Sequence, residues 1–340
     1  MKRALITGIT GQDGSYLAEH LVEEGYDVWG LLRRTSLDPM LRIEDLARSR
    51  TVHLLYGNLR DSASLERALA ESKPDEIYNL AAQSDVGISF KCPEETIEIN
   101  YYGVGRLVNA AIKQHPRVRI YQASTSEMFG KTKPPQSEES PFAPVSPYGE
   151  AKLKAHEDYV VGYRERHGIF ICSGILFNHE SPRRGKHFVT RKITHSLARI
   201  KNGLQEHVVL GNLEAKRDWG FAGDYVRAMH LMLQQKSPED YVIATGESHS
   251  VREFVEKAFE VIDMPISWHG EGFGEIGVDE KGITRVLVNK DFYRPTEVDY
   301  LCGDSSKAKK NLGWEPAVSF EELIAMMIAA DLENVRREMR

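Results

Sequence analysis

The chain has 340 residues, 41% hydrophobic and 28% charged, with 44 basic against 50 acidic side chains and a net charge of -6. That length supplies ample core for one large or two joined domains, the composition excludes a disordered chain, and the acidic balance excludes a global field that would gather nucleic acid or an anionic membrane. Three scattered cysteines (Cys92, Cys172, Cys302) without C-x-x-C spacing, no apolar run of about 18 residues and no signal-peptide core in MKRALITG argue against disulfides, a zinc site, a membrane span and export, so a reducing cytoplasm is expected.

In chain order, RALITG, DVWGLL, TVHLLYG, DEIYNLAA, RIYQAS and IFICSGILF are short apolar runs of β type. Between them GSYLAEHLVEEG, SASLERALAES and YYGVGRLVNAAIKQH carry apolar residues at helical spacing. This alternation predicts βαβ units and an α/β fold with a doubly wound parallel sheet. Beyond Asn178 the rhythm loosens, with helices near RKITHSLARIKNG and DYVRAMHLMLQQ, Gly-rich charged stretches around 270 to 285, and an amphipathic C-terminal helix in FEELIAMMIAADLENVRREMR that ends basic. The expected division is a dinucleotide-binding unit at 1–177, with return segments within about 217–245, and a smaller α/β substrate unit from 178–216 and 246–340.

Strand ALIT runs at once into TGITGQDG, where Gly8, Gly11 and Gly14 alternate with Thr10, Gln12 and Asp13 before a helix. Glycines at such a strand-to-helix turn let backbone N–H groups and the positive helix end approach a pyrophosphate, so a dinucleotide cofactor is expected there. The spacing is G-x-x-G-x-x-G. At the end of the second strand, where an NAD-binding chain offers an acid to the ribose 2'-hydroxyl, LLRRTS presents Arg33 and Arg34 instead. Guanidinium groups suit a 2'-phosphate, which favours NADP. Asn58 and Leu59 after the third strand, with Leu80, Ala81, Ala82 and Ser84 after the fourth, fall at carboxyl strand ends where a doubly wound sheet binds its ligand.

The fifth strand ends in IYQASTSEMFG, small hydroxyl residues followed by one carboxylate, Glu127. Further on, Tyr148 and Lys152 in SPYGEAK are four apart and share a helical face, with Pro147 suited to the helix start. TGITGQDG, STSE and YGEAK together resemble the extended short-chain dehydrogenase/reductase superfamily, a Rossmann-type fold. The resemblance implies that Thr125, Tyr148 and Lys152 form the catalytic set, Tyr148 and Lys152 also meeting the cofactor. A free tyrosine has a pKa near 10, so a base working near neutrality needs a shift of roughly 3 units, or ~4 kcal/mol. Positive charge from Lys152 and an oxidised nicotinamide ring is expected to supply it. Glu127 adds a second base, which an epimerase or reductase does not need and a dehydratase does.

The stretches YQASTSEMFG, SGILFNHESPRRG, FVTRKIT, RDWG, AGDYV and FYRPTEVD resemble the GDP-mannose 4,6-dehydratase family along nearly the whole chain. This resemblance implies GDP-mannose as substrate, a recycled NADP, no metal, and a homo-oligomer, dimer or tetramer. It further implies cofactor contacts at His179 and Arg184, and a sugar-nucleotide site from Ser84, Ser126, Asn178, Val189, Lys192, Arg217, Arg294 and Glu297. The alternatives on the same scaffold are a dehydratase of another GDP-sugar, such as a heptose, and a 4-epimerase or 4-reductase. Two departures stand out: Asp85 occupies a position near the sugar that is usually neutral or His, and the loop after Arg34 is short. Ser126 stands where related dTDP-glucose dehydratases carry an Asp as acid, so Glu127 is expected to serve twice.

Overall fold

The computed structural model describes residues 1–340 apart from 37, 294, 295 and 297. In chain order the first unit runs β1 (Arg3–Thr7), α1 (Gln12–Glu23), β2 (Asp27–Leu32), α2 (Glu44–Arg48), β3 (Val52–Tyr56), α3 (Ser62–Ser72), β4 (Glu76–Asn79), α4 (Val86–Lys91), α5 (Pro93–Ile97), α6 (Gly103–Gln114), β5 (Arg119–Ala123), α7 (Pro147–Ala155), α8 (Gly162–His167) and β6 (Ile171–Leu176). There follow β7 (Asn178–Glu180), α9 (Val189–Lys201), β8 (Val208–Leu210), β9 (Lys216–Arg217), β10 (Trp219–Phe221), α10 (Ala222–Leu233), β11 (Tyr241–Ile243), β12 (His249–Ser250), α11 (Val251–Val261), β13 (Ile266–His269), β14 (Ile276–Asp279), β15 (Thr284–Val288), α12 (Ser306–Leu312) and α13 (Phe320–Glu338).

Seven strands form one sheet in the order β11-β6-β5-β4-β1-β2-β3, every pairing parallel. The period of two along each strand sends alternate side chains to opposite faces. Ala4 and Ile6 of β1, Tyr78 of β4 and Tyr121 of β5 enter one core with α1 and α10, while Leu5, Ile77 and Ile120 enter the other with α3 and α6. Each fully buried Leu or Ile there contributes roughly 1.5–3 kcal/mol. Both faces being covered is why these strands read as continuous apolar runs.

The smaller unit has its own core. Helices α9, α11 and α13 pack over a four-stranded sheet, β13-β14-β15-β8, around Trp219, Phe254 and Phe320. Capping boxes start α11 and α13, with Ser250 and Ser319 each accepting from the N–H three residues on and Glu253 and Glu322 answering in return. Helix α13 buries Phe320, Leu323, Ile324, Met327, Ile328 and Val335 along one stripe, as its amphipathic pattern requires.

Three expectations shift. Helix α1 starts at Gln12, so Gly14 lies inside its first turn, because a Cβ there would stand 2.3 Å from the Gly8 carbonyl oxygen. The stretch from 266 to 288 is a small antiparallel sheet joined to β8, its half-exposed strands too mixed in polarity to stand out in the sequence. Within the expected 246–340 segment, Ala308, Leu312 and Trp314 pack into the first unit's core beside α10 and β11. The division into units therefore crosses the chain more often than its boundaries suggest.

Candidate active site

The Gly-rich turn joins β1 to α1 at the carboxyl edge of the large sheet. Gly8 has φ +72°, and a Cβ on it would meet the Ala81 backbone at 3.0 Å, so only glycine fits between β1 and β4. Gly11 is the N-cap of α1 and offers no side-chain cap, leaving first-turn N–H groups for an anion. Its missing Cβ would face only the Gly8 carbonyl, at 3.1 Å. This cradle fits a dinucleotide pyrophosphate.

Gln12 and Asp13 turn instead toward the chain after β6. The Gln12 amide donates to the His179 carbonyl (3.0 Å) and accepts from Ser181 (2.8 Å). His179 Nδ1 lies 2.7 Å from the Phe177 carbonyl and Nε2 lies 2.9 Å from Asp13 Oδ2. A carbonyl only accepts, so Nδ1 carries hydrogen and the Nε2 contact shares a proton with the carboxylate. Burial alone opposes both charges, yet attraction between the two holds Asp13 below and His179 above the ordinary range. The ring of His179 also stacks on Tyr225 at 4.7 Å. Arg184 lies one turn further, its Nε 3.1 Å from Glu180 and its guanidinium over Phe188.

Arg42 was not picked out from the sequence. It donates to the Thr10 carbonyl (3.3 Å) and to the Arg183 carbonyl (2.7 Å), tying the glycine turn to the loop that carries Arg184. No spacing rule marks such a residue, since the loop that carries it has no periodic pattern. Arg33 and Arg34 stand exposed just past β2, and neither has an ion-pair partner among the described residues. Asn58 uses its side-chain oxygen on the Arg60 N–H (3.0 Å) and Leu59 is a core side chain, so Leu59 can offer a ligand only its backbone. The N–H groups of Leu80 and Ala81 both donate to Thr7 Oγ1 at 3.1 Å, Ala82 is half-buried and Ser84 is exposed.

Beyond β5 the chain makes a single 3-10 turn, Ser126–Met128, capped by Thr125, whose hydroxyl accepts the Glu127 N–H at 3.2 Å. The start of α7 presses on this turn because residue 149 is glycine; a Cβ there would be 2.7 Å from the Glu127 carbonyl oxygen. Ser146 caps α7 through the Gly149 N–H (3.1 Å), with Pro147 at its first position. These contacts bring Thr125, Ser126, Glu127, Tyr148 and Lys152 together. Glu127 is only 8% exposed, and no donor reaches its carboxylate among the described residues. Tyr148 is pushed up to about 12, by burial first and then by the Glu127 charge, with Thr125 and Arg184 opposing. Lys152 is pulled down to about 8 by burial and donates to the Ala123 carbonyl at 2.9 Å. The expectation that Lys152 lowers Tyr148 is therefore not met by the protein alone: the ammonium lies 5.9 Å from the ring centre and is committed to a carbonyl.

Further along the chain, Asn178 opens β7, which pairs with β10, and Val189 opens α9. Lys192, one turn along α9, stands 3.5 Å from the Phe292 ring centre and is lowered by burial. Arg217 is buried on β9 and donates to the Lys216 carbonyl at 2.9 Å. Arg294 and Glu297 lie outside the described residues. Asp85 caps α4 through the Ile88 N–H (2.9 Å) and lies 3.6 Å from His187. Among the described residues no cluster of His, Cys, Asp or Glu could hold a metal, and no helix is long and apolar enough to cross a membrane.

Comparison with known proteins places the chain as a whole. The family model for GDP-mannose 4,6 dehydratase matches residues 5–327. The chain belongs to the GDP-mannose 4,6-dehydratase family. It is 53% identical to the Drosophila melanogaster GDP-mannose 4,6 dehydratase, covering 99% of this chain and 87% of that protein. It is 54% identical to the Homo sapiens protein of the same name, covering 98% and 92%. Among solved structures, the Thermus thermophilus UDP-glucose 4-epimerase in complex with NAD superposes with a TM-score of 0.80 at 25% identity, covering 97% of this chain and 98% of that one. This neighbour shares the fold of the chain.

Proposed function

We propose that this chain is a GDP-mannose 4,6-dehydratase that uses NADP and forms GDP-4-dehydro-6-deoxy-mannose and water. The observation that carries the reading is the buried Glu127 carboxylate on the turn beside Tyr148, joined to relatives of that name at more than half identity. The exposed Arg33 and Arg34 favour a 2'-phosphate, and hence NADP over NAD.

When bound, the oxidised cofactor supplies a hydride acceptor for sugar C4, the positive charge that Tyr148 needs to act as a base near neutrality, and the same hydride for C6. The chain's own residues do the rest. Tyr148 takes the C4 hydroxyl proton, and Thr125 holds that hydroxyl in line with the phenol. Once C4 is a ketone the C5 hydrogen is acidic, and Glu127 removes it. The C6 hydroxyl must leave as water, and Ser126 is no proton donor near neutrality. Glu127 therefore delivers the proton it has just taken, and as C6 accepts hydride a proton must return to C5, balanced by the one Tyr148 took from the C4 hydroxyl.

Asn178, Val189, Lys192, Arg217, Arg294 and Glu297 form the sugar-nucleotide site in this reading, the cations offsetting the diphosphate. His179 is held by Asp13, so its cofactor role is through a preset ring. Three free thiols suit a reducing cytoplasm, and a homo-oligomer is the expected assembly. A panel of GDP-, UDP- and dTDP-sugars with catalytic NADP or NAD, assayed for the alkaline absorbance of 4-keto products, tests the reading. GDP-mannose with NADP should give the highest kcat/KM; a preference for UDP- or dTDP-sugars, or 4-epimer formation, would overturn it.

A further inference from the structure

A buried chain of hydrogen bonds crosses three strands of the large sheet and ends on Lys152. Its direction follows from chemistry alone. Thr7 Oγ1 receives the Leu80 and Ala81 N–H groups, 3.1 Å each, which fill its two lone pairs, so its own hydrogen must donate, to Asn79 Oδ1 at 2.6 Å. Asn79 Nδ2 must then donate onward, to Gln122 Oε1 at 2.7 Å. The Gln122 Nε2 group in turn donates to the Ala123 carbonyl at 2.8 Å, and the second lone pair of that carbonyl takes Lys152 Nζ at 2.9 Å. Thr7, Asn79, Gln122 and Lys152 are all buried, Gln122 at 2% exposure.

Such a chain in a dry interior is stable only when its polar atoms are paired, and here each of these side-chain nitrogen and oxygen atoms has a partner. Asn79 and Gln122 stand at neighbouring register positions on β4 and β5, Thr7 and Asn79 on β1 and β4. The relay therefore spans from the strand end that bears the Gly8 turn to the carbonyl that holds the catalytic ammonium. Packing alone would be served by apolar side chains at these positions, without the cost of burying two carboxamides.

We propose that Asn79 and Gln122 are positioning residues, which fix the Ala123 carbonyl and through it the Lys152 ammonium relative to the cofactor-facing turn at Leu80 and Ala81. The proposal rests on the dehydratase reading for its kinetic arm only. Replacing Gln122→Met removes both of its bonds at similar volume. Replacing Asn79→Asp keeps the acceptor for Thr7 but removes the donor to Gln122, whose amide must turn and present oxygen, not N–H, to Ala123. Each variant should lower kcat about 10-fold, the scale of a misplaced catalytic group, while KM for GDP-mannose stays within about twofold.

The second arm does not depend on the substrate. In 15N-lysine-labelled protein, the Lys152 ammonium, assigned by Lys152→Met, should give a slowly exchanging signal below pH 8 that is lost or exchanges faster in both variants. A folded Gln122→Met or Asn79→Asp protein with wild-type kcat and an unchanged Lys152 signal would overturn the proposal. Should Gln122→Met fail to fold, Asn79→Asp decides alone. Wild-type protein inactive on GDP-mannose would count against the dehydratase reading, and the lysine signal would still judge the relay.

Discussion

The large sheet and the smaller unit hold their proposed functional groups by different means. On the side of the large sheet, Thr125, Glu127, Tyr148 and Lys152 stand on a strand end and the first turns after it, buried, with the backbone beneath them fixed by Ser146, Gly149 and Gln122. On the other side, Lys192 and Arg217 stand on a helix and a two-residue strand of the smaller unit, with Lys192 resting on the ring of Phe292. Bond breaking needs atoms held within about half an ångström, whereas neutralising a diphosphate needs charge that tolerates displacement. On the proposed reading, the chemistry sits where parallel strands end, and recognition sits on elements that can be re-tuned.

Breaking the catalytic side should cost most. Tyr148→Phe removes the base for the C4 hydroxyl, and kcat is expected to fall roughly 10³–10⁴-fold, read in steady-state turnover. Next comes Glu127→Gln, with a loss of about 10²–10³-fold in product formation. Its sharper reading is in a single turnover: reduced cofactor should appear and persist, because oxidation at C4 proceeds and elimination does not. If Glu127→Gln instead blocked cofactor reduction as fully as Tyr148→Phe, the separation of roles would be wrong.

The recognition side should respond more mildly and in a different constant. Replacing both Arg33 and Arg34 by Ser should weaken NADP binding by about 10- to 100-fold, the worth of charge-assisted hydrogen bonds, with NAD affinity little changed; isothermal titration against both cofactors reads this. Lys192→Ala should raise KM for GDP-mannose about 10-fold while kcat changes less.

The smallest effect belongs to the pair that joins the two sides. In Asp13→Asn, the stabilisation from the Asp13–His179 contact is lost. The His179 share is present below its ordinary value of 6.5 and fades as pH rises through its raised folded value. The Asp13 share is present above 3.8 and fades as pH falls through its lowered folded value. The melting temperature of the variant should thus lag the wild type by about 2–4 °C between those values and converge with it at higher pH. A lag that grows steadily to pH 9 would contradict the assignment of a charged pair.

How much of this was legible in the sequence follows from the same contrast. The large sheet announced itself because its strands are buried on both faces and alternate with amphipathic helices, so DVWGLL and SASLERALAES match β2 and α3 residue for residue. The strands of the smaller sheet did not, because β13 and β15 are half-exposed and short; β11 of the large sheet was missed because it has only three residues. Tyr148, Lys152 and Glu127 drew notice by spacing and residue type, and their expected roles came from the resemblance carried by STSE and YGEAK. Arg42, Asn79 and Gln122 could not, since their contacts arise from which loops and which strands become neighbours, which no local pattern encodes. The part played by Lys152 was misread for a related reason: helical spacing brought it near Tyr148, but the Ala123 carbonyl claims its ammonium.

The central claim is that hydride leaves C4 and returns to C6 of one sugar while a single carboxylate handles the C5 proton. GDP-[4-²H]mannose incubated with substoichiometric NADP tests it most directly. The account predicts many turnovers per cofactor, with deuterium found at C6 of the 4-keto product and the C6 label undiminished by added unlabelled NADPH. Deuterium accumulating in free NADPH, or a product retaining its C6 hydroxyl, would contradict it.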